Sequence, residues 1–500
     1  MPARAFHPGT PYNLSSVFLN PIPHFSAPGS SSKNKNMENI KRWLFRSTAF
    51  LLCIEIGAVA YLLLENPIGS VRMIIIVPAL LGLSLAAMLL LHRRVSPGVT
   101  LAVVSLILCL FALDGACQIL NLPSHFTSFQ REERARQLGI EYDYRGIPKV
   151  ISDLRDQGRD AVAHIAPNFM IATGSALFPL GGVSDKTVVM CNESGKFSVY
   201  PSDEHGFNNP KGLYDSGGQA LVIGDSFANG ACVQPGEDIA SRLREHGLPA
   251  LTLGMWGNGP LVELATLAEY GRSLRPAKIF WLYYENDMED LANEEREPIL
   301  QHYLEPGFSQ NLLHRQPEID ALLLAEIDKQ YRERTAETLK TLPIHAPERA
   351  ESLASRANEL VNSPIIKDSV SIASLHDLIL FGRSVFFNPF SGAALGRFRR
   401  VMDTAKTLAA SWGGQLTFVF LPEFSRYQPV PWIHKLYLKR SKEQILGVAS
   451  RLGFQVVDID RVFQAQADPV SLFPMRMMGH YTPEGYALVA QVLRNSAAER

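Results

Sequence analysis

Ser226 is well placed in this chain to act as a nucleophile. It follows the apolar run 220–223 and the residues Gly224 and Asp225, a pattern typical of a buried strand that ends in a sharp turn. An amphipathic run that ends at about Glu245 predicts a helix soon afterwards. A serine in such a turn is held out of the sheet, where the backbone N–H groups of the next helical turn stabilise a developing negative charge.

Three further residues supply what a serine nucleophile needs. Two more predicted strands, 250–253 and 278–284, end in loops that contain Gly257 and Asn286, and His480 precedes an apolar helical pattern near the C-terminus. In an open parallel sheet such loops gather at the carboxyl edge, where ligands bind. Each residue alone is compatible with an ordinary turn. Their order along the chain favours acyl chemistry.

Each residue type has a defined task in that chemistry. A histidine accepts the proton of the attacking hydroxyl of Ser226 and returns it to the leaving alcohol. The backbone N–H groups of Ser226 and Gly257 and the side-chain amide of Asn286 would receive the negative charge of the tetrahedral intermediate. Glycine suits the second position because a side chain there would keep the backbone away from the substrate.

The four residues also stand in the order that defines a known family. The chain resembles the SGNH (GDSL-type) hydrolases over about residues 215–495, with the Gly-Asp-Ser-Phe box at Ser226. The second box matches at Gly257, the third at Asn286 and the last at His480. The resemblance implies an α/β fold, a three-layer α/β/α sandwich around a flavodoxin-like parallel sheet of about five strands. It also implies a serine esterase that needs no cofactor and no metal ion.

Two positions depart from the pattern of that family. Glu285 directly precedes Asn286, where the family usually has Gly-x-Asn-Asp. Met477 and Met478 stand where an acid usually precedes His480. The group that orients the histidine is therefore left open between a Ser–His dyad, a backbone carbonyl at Nδ1 and another acid. Three acids are candidates by chain order alone: Asp458, Asp460 and Asp468.

The N-terminal part of the chain has a different composition. Residues 1–40 are rich in Pro, Ser and Asn and predict a disordered tail without a cleavable signal peptide. Within residues 41–121 we predict three transmembrane helices, because apolar runs at about 47–64, 71–91 and 98–120 are each near the roughly 20 residues that cross a bilayer. A buried helical hairpin of a soluble protein is the alternative. Flanking Lys and Arg residues place the N-terminus in the cytoplasm and the rest outside the inner membrane.

Two segments follow the predicted membrane region. Residues 122–218 predict an extracytoplasmic lead-in segment, with a β-hairpin whose strands at 187–191 and 196–200 flank a polar turn. Residues 219–500 predict the hydrolase-like domain. A helical insertion at about 291–400 interrupts it and is expected to cover the active-site edge.

The cysteines indicate in which cellular compartment the protein acts and whether it forms a disulfide bond. Of five cysteines, only Cys191 and Cys232 lie outside the apolar N-terminal runs. An oxidising compartment would allow these two to pair, and free buried thiols are the alternative. No Cys-x-x-Cys or His-Glu-x-x-His spacing occurs in the sequence, so no metal site is predicted.

Composition and motifs together predict a class of function. The net charge of −1 leaves no basic surface that would indicate a nucleic-acid partner. We interpret the chain as a membrane-anchored serine ester hydrolase that acts outside the cytoplasm on an acylated glycan or a related small ester. An O-acyltransferase that modifies a surface polysaccharide is one alternative. A non-catalytic glycan-binding or assembly protein is another, because Met477 and Met478 replace the expected acid.

Overall fold

The computed structural model describes residues 131–341 and 389–498, apart from residues 172, 216–219 and 431. The predicted tail, the three predicted transmembrane runs and part of the predicted insertion lie outside the described residues. Within the described part, no helix combines the length and the apolar character that crossing a bilayer requires.

The described residues contain two sheets. The smaller sheet belongs to the lead-in segment and consists, in spatial order, of β1 (Ala161–Ala163), β2 (Thr187–Val189) and β3 (Val199–Pro201). The larger sheet is parallel throughout and consists of β4 (Ala220–Ile223), β5 (Ala250–Thr252), β6 (Lys278–Tyr283), β7 (Gln415–Phe420) and β8 (Gln455–Asp458). Its spatial order is β5-β4-β6-β7-β8, the flavodoxin-like order that reverses beside the first strand.

The central strands pack into two separate hydrophobic cores. Ile279, Trp281 and Tyr283 of β6 enter one core, and Phe280 and Leu282 enter the other. Successive side chains of a strand point to opposite faces, so both faces of the sheet are covered. A strand buried on both faces is apolar along its whole length, which is why these strands are readable in the sequence. The architecture is the α/β/α sandwich that the sequence predicts.

Helices cover the two faces of the sheet and carry most of its connections. In chain order the helical segments are 131–138, Ile147–Asp156, Ser226–Asn229, Ile239–Glu245, Pro260–Thr266, Asp287–Glu294, Pro298–Gln301, Gln316–Thr341, Gly392–Ala410, Trp432–Arg451, Ile459–Gln464 and Pro483–Ala498. The segment Pro260–Thr266 continues through a π-helical turn, Leu267–Gly271, into Arg272–Leu274.

The lead-in segment is attached directly to the edge of the larger sheet. The side-chain amide of Asn209 donates to the carbonyl oxygen of Thr252 at 2.8 Å and accepts from the N–H of the same residue at 2.9 Å. Asn209 thereby satisfies backbone groups that an edge strand would otherwise leave unpaired. The Ser198 hydroxyl donates to the carbonyl oxygen of Val233, at 2.7 Å, and adds a second link near the nucleophile.

The predicted hairpin is present, but its strands are shorter than predicted. β2 and β3 pair antiparallel with Val189 opposite Val199, so residues 190–198 form a longer loop than the four-residue turn expected from the sequence. The sequence analysis also missed β1, which pairs parallel to β2. A three-residue Ala-Val-Ala strand carries too little alternation to be recognised from its pattern.

Candidate active site

Ser226 occupies the turn that the sequence predicts for a nucleophile. It follows β4 and begins the short helix Ser226–Asn229, whose N-terminus is capped by Asp225 accepting from the N–H of Phe227 at 2.9 Å. Ser226 is 6% exposed. The loop after β5 comes very close to this helix, because a Cβ on Gly254 would lie 2.5 Å from the backbone nitrogen of Asn229. Gly254 therefore permits the packing that brings the next loop to the nucleophile.

His480 lies beside Ser226, as the order of the motifs predicts. Its Nε2 atom is 2.9 Å from the Ser226 hydroxyl oxygen, although 254 positions separate the two residues. The rings of Phe227 and Trp256 pack against the imidazole at centroid distances of 4.9 and 5.1 Å. These contacts restrict the orientation of the ring, so the hydrogen bond to the serine is prepared before any substrate binds.

Glu193, in the loop between β2 and β3, faces the other nitrogen of the histidine. Its Oε2 atom lies 3.3 Å from Nδ1 of His480 and accepts the backbone N–H of the same residue at 2.7 Å. The guanidinium of Arg131 donates to Oε1 of Glu193 and to the carbonyl oxygen of Met478, each at 2.9 Å. The acid missing from positions 477 and 478 thus comes from a residue 287 positions before the histidine.

The charge state of Glu193 follows from these partners. Burial disfavours the charged carboxylate, but the attraction and hydrogen bonds of His480, together with the charge of Arg131, outweigh burial and lower the pKa of Glu193 to about 2. The group is therefore ionised at neutral pH. An ionised acceptor at Nδ1 keeps a proton on that nitrogen and leaves Nε2 free to accept one from Ser226.

The three acids selected by chain order do not orient the histidine, so that prediction is wrong. Asp458 and Asp460 pair with Lys442 at 2.9 and 2.7 Å. Asp468 pairs with Arg476. Basic residues near the C-terminal strand bind these acids, and the face of the ring that needs an acid is covered by the lead-in segment instead.

A disulfide joins Cys191 to Cys232 and links the loop of Glu193 to the loop of the nucleophile. Cys191 stands two residues before Glu193, and Cys232 stands six residues after Ser226. The Cys232 sulfur lies 3.5 Å from Nδ1 of His480. The spacing of these cysteines was the one signal in the sequence that could have identified Glu193. A bridge between them brings the polar turn that follows Cys191 to the active site.

Asp225 is a second carboxylate beside Ser226 and His480, and its environment differs from that of Glu193. One oxygen caps the helix, and the other lies 3.4 Å from the Ser226 hydroxyl. Burial raises the pKa of Asp225 to about 6, against the opposing effects of the Phe227 N–H and the charge of His480. Asp225 positions the backbone of Ser226, and burial outweighs the charge of His480 there, whereas His480 and Arg131 together outweigh burial at Glu193.

Gly257 lies in the loop after β5, next to the nucleophile's strand, as predicted. Its φ of 74° is in the left-handed region that favours glycine. A Cβ there would also lie 2.5 Å from the side-chain nitrogen of Asn168, an exposed residue that the sequence analysis did not select. The buried carboxylate of Glu294 accepts from the N–H of Leu261 at 2.9 Å and fixes the helix that follows this loop.

Asn286 lies in the loop after β6, on the other side of the nucleophile's strand. Ile223 of β4 pairs with Trp281 of β6, so the two loops leave adjacent strands at the same edge. The Asn286 side chain is exposed and donates to Asp290 at 2.7 Å. An amide nitrogen carries two hydrogens, so this bond orients the amide and leaves the second hydrogen for a ligand.

Glu285, which directly precedes Asn286, has a structural partner. Arg426 donates to Oε2 of Glu285 at 2.7 Å, and its side chain is only 6% exposed. The pair joins the loop after β6 to the loop after β7. The salt bridge is buried.

Comparison with known proteins found similarity among solved structures only. No family model matches this sequence, and no curated protein matches it. Among solved structures, the chain is similar to the lipase/acylhydrolase from Enterococcus faecalis, at 10% sequence identity and a TM-score of 0.28. That alignment covers 56% of this chain and 94% of the other.

Proposed function

We propose that this chain is a serine ester hydrolase of the SGNH type in which Glu193 completes a Ser226–His480–Glu193 triad. The observation that carries the proposal is the bridging position of the imidazole. Its Nε2 lies 2.9 Å from the serine hydroxyl and its Nδ1 lies 3.3 Å from the carboxylate. This is the arrangement in which a histidine accepts a proton from a nucleophile while an acid fixes its tautomer.

The reaction follows from the positions of these groups. His480 takes the hydroxyl proton as Ser226 attacks the ester carbonyl, and then donates it to the departing alcohol. Glu193 stabilises the imidazolium formed in between, and His480 and Arg131 together keep the carboxylate ionised. Water then attacks the acyl-enzyme by the same route, with His480 again as base and then as acid.

We propose that the loops that follow β4, β5 and β6 stabilise the negative charge on the tetrahedral intermediate. The N–H groups of Ser226 and Gly257 and the second amide hydrogen of Asn286 are the donors we propose. Support comes from the pairing of β4 with both β5 and β6, which places the loops of Gly257 and Asn286 on either side of the nucleophile's loop. The hydrogen bond to Asp290 fixes the direction of the Asn286 amide.

The substrate we propose is an O-acyl ester, such as an acetyl group, on a glycan or related molecule outside the cytoplasm. The Cys191–Cys232 disulfide is compatible with an oxidising compartment. Trp256 is 37% exposed and packs edge-on against the catalytic histidine, where its ring could contact a sugar. Anchoring through residues 41–121 in the inner membrane is part of the same proposal and rests on the apolar runs in the sequence.

One observation favours acyl transfer to a glycan as a second candidate function. Ser226 and His480 are only 6% and 8% exposed, so little water reaches the catalytic pair. Exclusion of water from an acyl-enzyme favours another acceptor alcohol over hydrolysis. Glu193 counts against the non-catalytic alternative, since that alternative was drawn from the missing acid at Met477 and Met478.

Turnover of an aryl acetate by the purified protein tests the proposal, with Ser226→Ala as the control. We expect release of the phenol by the wild-type protein and none above background by the variant. Equal background rates in both proteins would contradict a serine hydrolase. Addition of an acetylatable oligosaccharide then separates the two enzymes, because a transferase forms the acetylated sugar where a hydrolase forms free acetate.

A further inference from the structure

Two buried side chains, those of Cys232 and Glu193, lie beside the Nδ1 atom of His480, and the chemistry of the three residues together extends beyond ester hydrolysis. The Cys232 sulfur lies 3.5 Å and the Oε2 atom of Glu193 lies 3.3 Å from that nitrogen. The three atoms are all within 4.8 Å of one another. A thiolate, an imidazole and a carboxylate are the ligand types that zinc binds in proteins.

We propose that opening the Cys191–Cys232 disulfide converts these three residues, Cys232, His480 and Glu193, into a zinc-binding site with its fourth position open to water. In tetrahedral zinc sites with ordinary bond lengths, the nitrogen lies about 3.6 Å from the sulfur and about 3.4 Å from the oxygen. The structure has 3.5 and 3.3 Å for the same pairs of atoms. Two of the three pairs of ligand atoms therefore already have a spacing that fits zinc, and the third pair, sulfur and oxygen, is within 4.8 Å.

The disulfide masks this site because a bridged sulfur has no thiolate to offer. A dithiol reductant opens the bridge by exchange. The S–S bond breaks, two electrons and two protons pass from the dithiol to the protein, and two cysteine thiols and a cyclic disulfide result. Zinc then displaces one proton, that of the Cys232 thiol. Arg131 binds the other oxygen of Glu193, and Oε2, which accepts the backbone N–H of His480, has a second lone pair for the metal.

Zinc at this position changes the histidine as well. When the metal occupies Nδ1, the ring proton moves to Nε2, the atom that faces the Ser226 hydroxyl. That nitrogen can then donate to the hydroxyl but cannot accept its proton. The zinc-bound protein is consequently unable to activate the serine, a consequence that rests on the proposed ester hydrolase function. The state of the bridge would then select between a catalytic histidine and a metal-ligating one.

The variant Cys191→Ser tests the site without any reductant, because it leaves Cys232 as a free thiol. Its matched control is the double variant Cys191→Ser/Cys232→Ser, which lacks the bridge equally but has no thiol. We expect calorimetric titration with zinc chloride to give one site in the single variant, bound at least about 100-fold more tightly than in the double variant. Cobalt(II) should show thiolate-to-metal charge-transfer absorption in the single variant only. Adding Glu193→Gln to the single variant should weaken zinc binding about 10-fold or more.

Equal zinc affinities in the single and double variants would overturn the proposal, as would cobalt spectra without the charge-transfer band. If the single variant does not fold, the wild-type protein replaces it, reduced with a water-soluble phosphine that becomes the phosphine oxide as water supplies the oxygen. Zinc should then bind the reduced protein and not the oxidised one, and binding to neither would equally overturn the proposal. Zinc binding is measured without ester, so a protein that binds zinc but never hydrolyses esters would refute the proposed function alone.

Discussion

The two sides of the Ser226–His480 pair are built differently. On the lead-in side, Glu193 is bound by Arg131 and His480, and a disulfide ties its loop to the nucleophile's loop. On the strand-edge side, the proposed oxyanion donors lie on loops, with Asn286 exposed and bonded to a single acid. The groups that we propose to move the proton are thus fixed by long-range contacts, while Asn286, a proposed oxyanion donor, stays exposed.

The two carboxylates near Ser226 and His480, Glu193 on the lead-in side and Asp225 on the strand-edge side, also differ in their electrostatic environment. The pKa of Glu193 is lowered to about 2 by its interactions with His480 and Arg131, whereas burial raises the pKa of Asp225 to about 6. An acid that must stay charged needs a partner charge, and an acid that only caps a helix does not. The structure therefore assigns the two carboxylates near the serine different tasks.

Removing the proposed nucleophile, Ser226, should cause the largest loss of activity, because the groups on both sides of the pair act through its hydroxyl. Ser226→Ala should lower kcat for an aryl acetate by about 10⁴- to 10⁶-fold, as expected when the residue that forms the covalent intermediate is lost. Circular dichroism should show that the variant is folded. A folded variant with more than a tenth of the wild-type rate would place the chemistry elsewhere.

The strand-edge side is tested by Asn286→Ala, which removes one proposed oxyanion donor. We expect kcat and kcat/KM to fall together by about 100- to 1,000-fold, because the lost hydrogen bond forms only in the transition state. Asn293→Ala, on the helix that follows Asn286, serves as the matched control and should behave as wild type. A rise in KM with unchanged kcat would instead make Asn286 a group that only binds substrate.

The lead-in side is tested by the double variant Cys191→Ser/Cys232→Ser. Glu193 would still have its bonds to Arg131 and His480, but its loop would no longer be held covalently. We expect a fall in kcat of about 10-fold, of the size seen when a supporting contact behind a site residue is lost. Unchanged kcat in zinc-free buffer would show that noncovalent packing alone positions the acid.

The smallest expected effect is a change in how the stability of the protein depends on pH, caused by Asp290 on the strand-edge side. Burial, reinforced by the charge of Glu294, raises the pKa of Asp290 to about 8. The folded state therefore holds a proton that the unfolded state loses near pH 4, so this acid lowers stability progressively as the pH rises from about 4 to about 8. Relative to the wild type, Asp290→Asn should become more stable over that range in urea denaturation. A difference that stays constant with pH would contradict the raised pKa.

The sequence predicted the central sheet because its strands are buried on both faces. Each of β4, β5 and β6 coincides with a predicted strand to within one residue, and Ser226 and His480 meet as the order of their motifs indicated. Local pattern is sufficient where a strand's environment is uniform.

The sequence did not predict the acid, because no local pattern encodes its position. Glu193 and His480 are 287 residues apart, and they meet only because the lead-in segment packs against the edge of the sheet. Asn168 was missed for the same reason, since it reaches Gly257 from another short element of that segment. In the sequence, only Cys191 and Cys232 indicated that the lead-in segment packs near Ser226.

The rate of ester hydrolysis by Glu193→Gln tests the central claim most directly. The amide keeps the size of the side chain but lacks the charge that fixes the proton on Nδ1 of His480. We predict that kcat for an aryl acetate falls by about 10³- to 10⁴-fold while Asp468→Asn, which alters an acid selected by chain order, keeps the wild-type rate. A folded Glu193→Gln protein with kcat within about 3-fold of wild type would contradict the triad, since the loss of a triad acid costs far more.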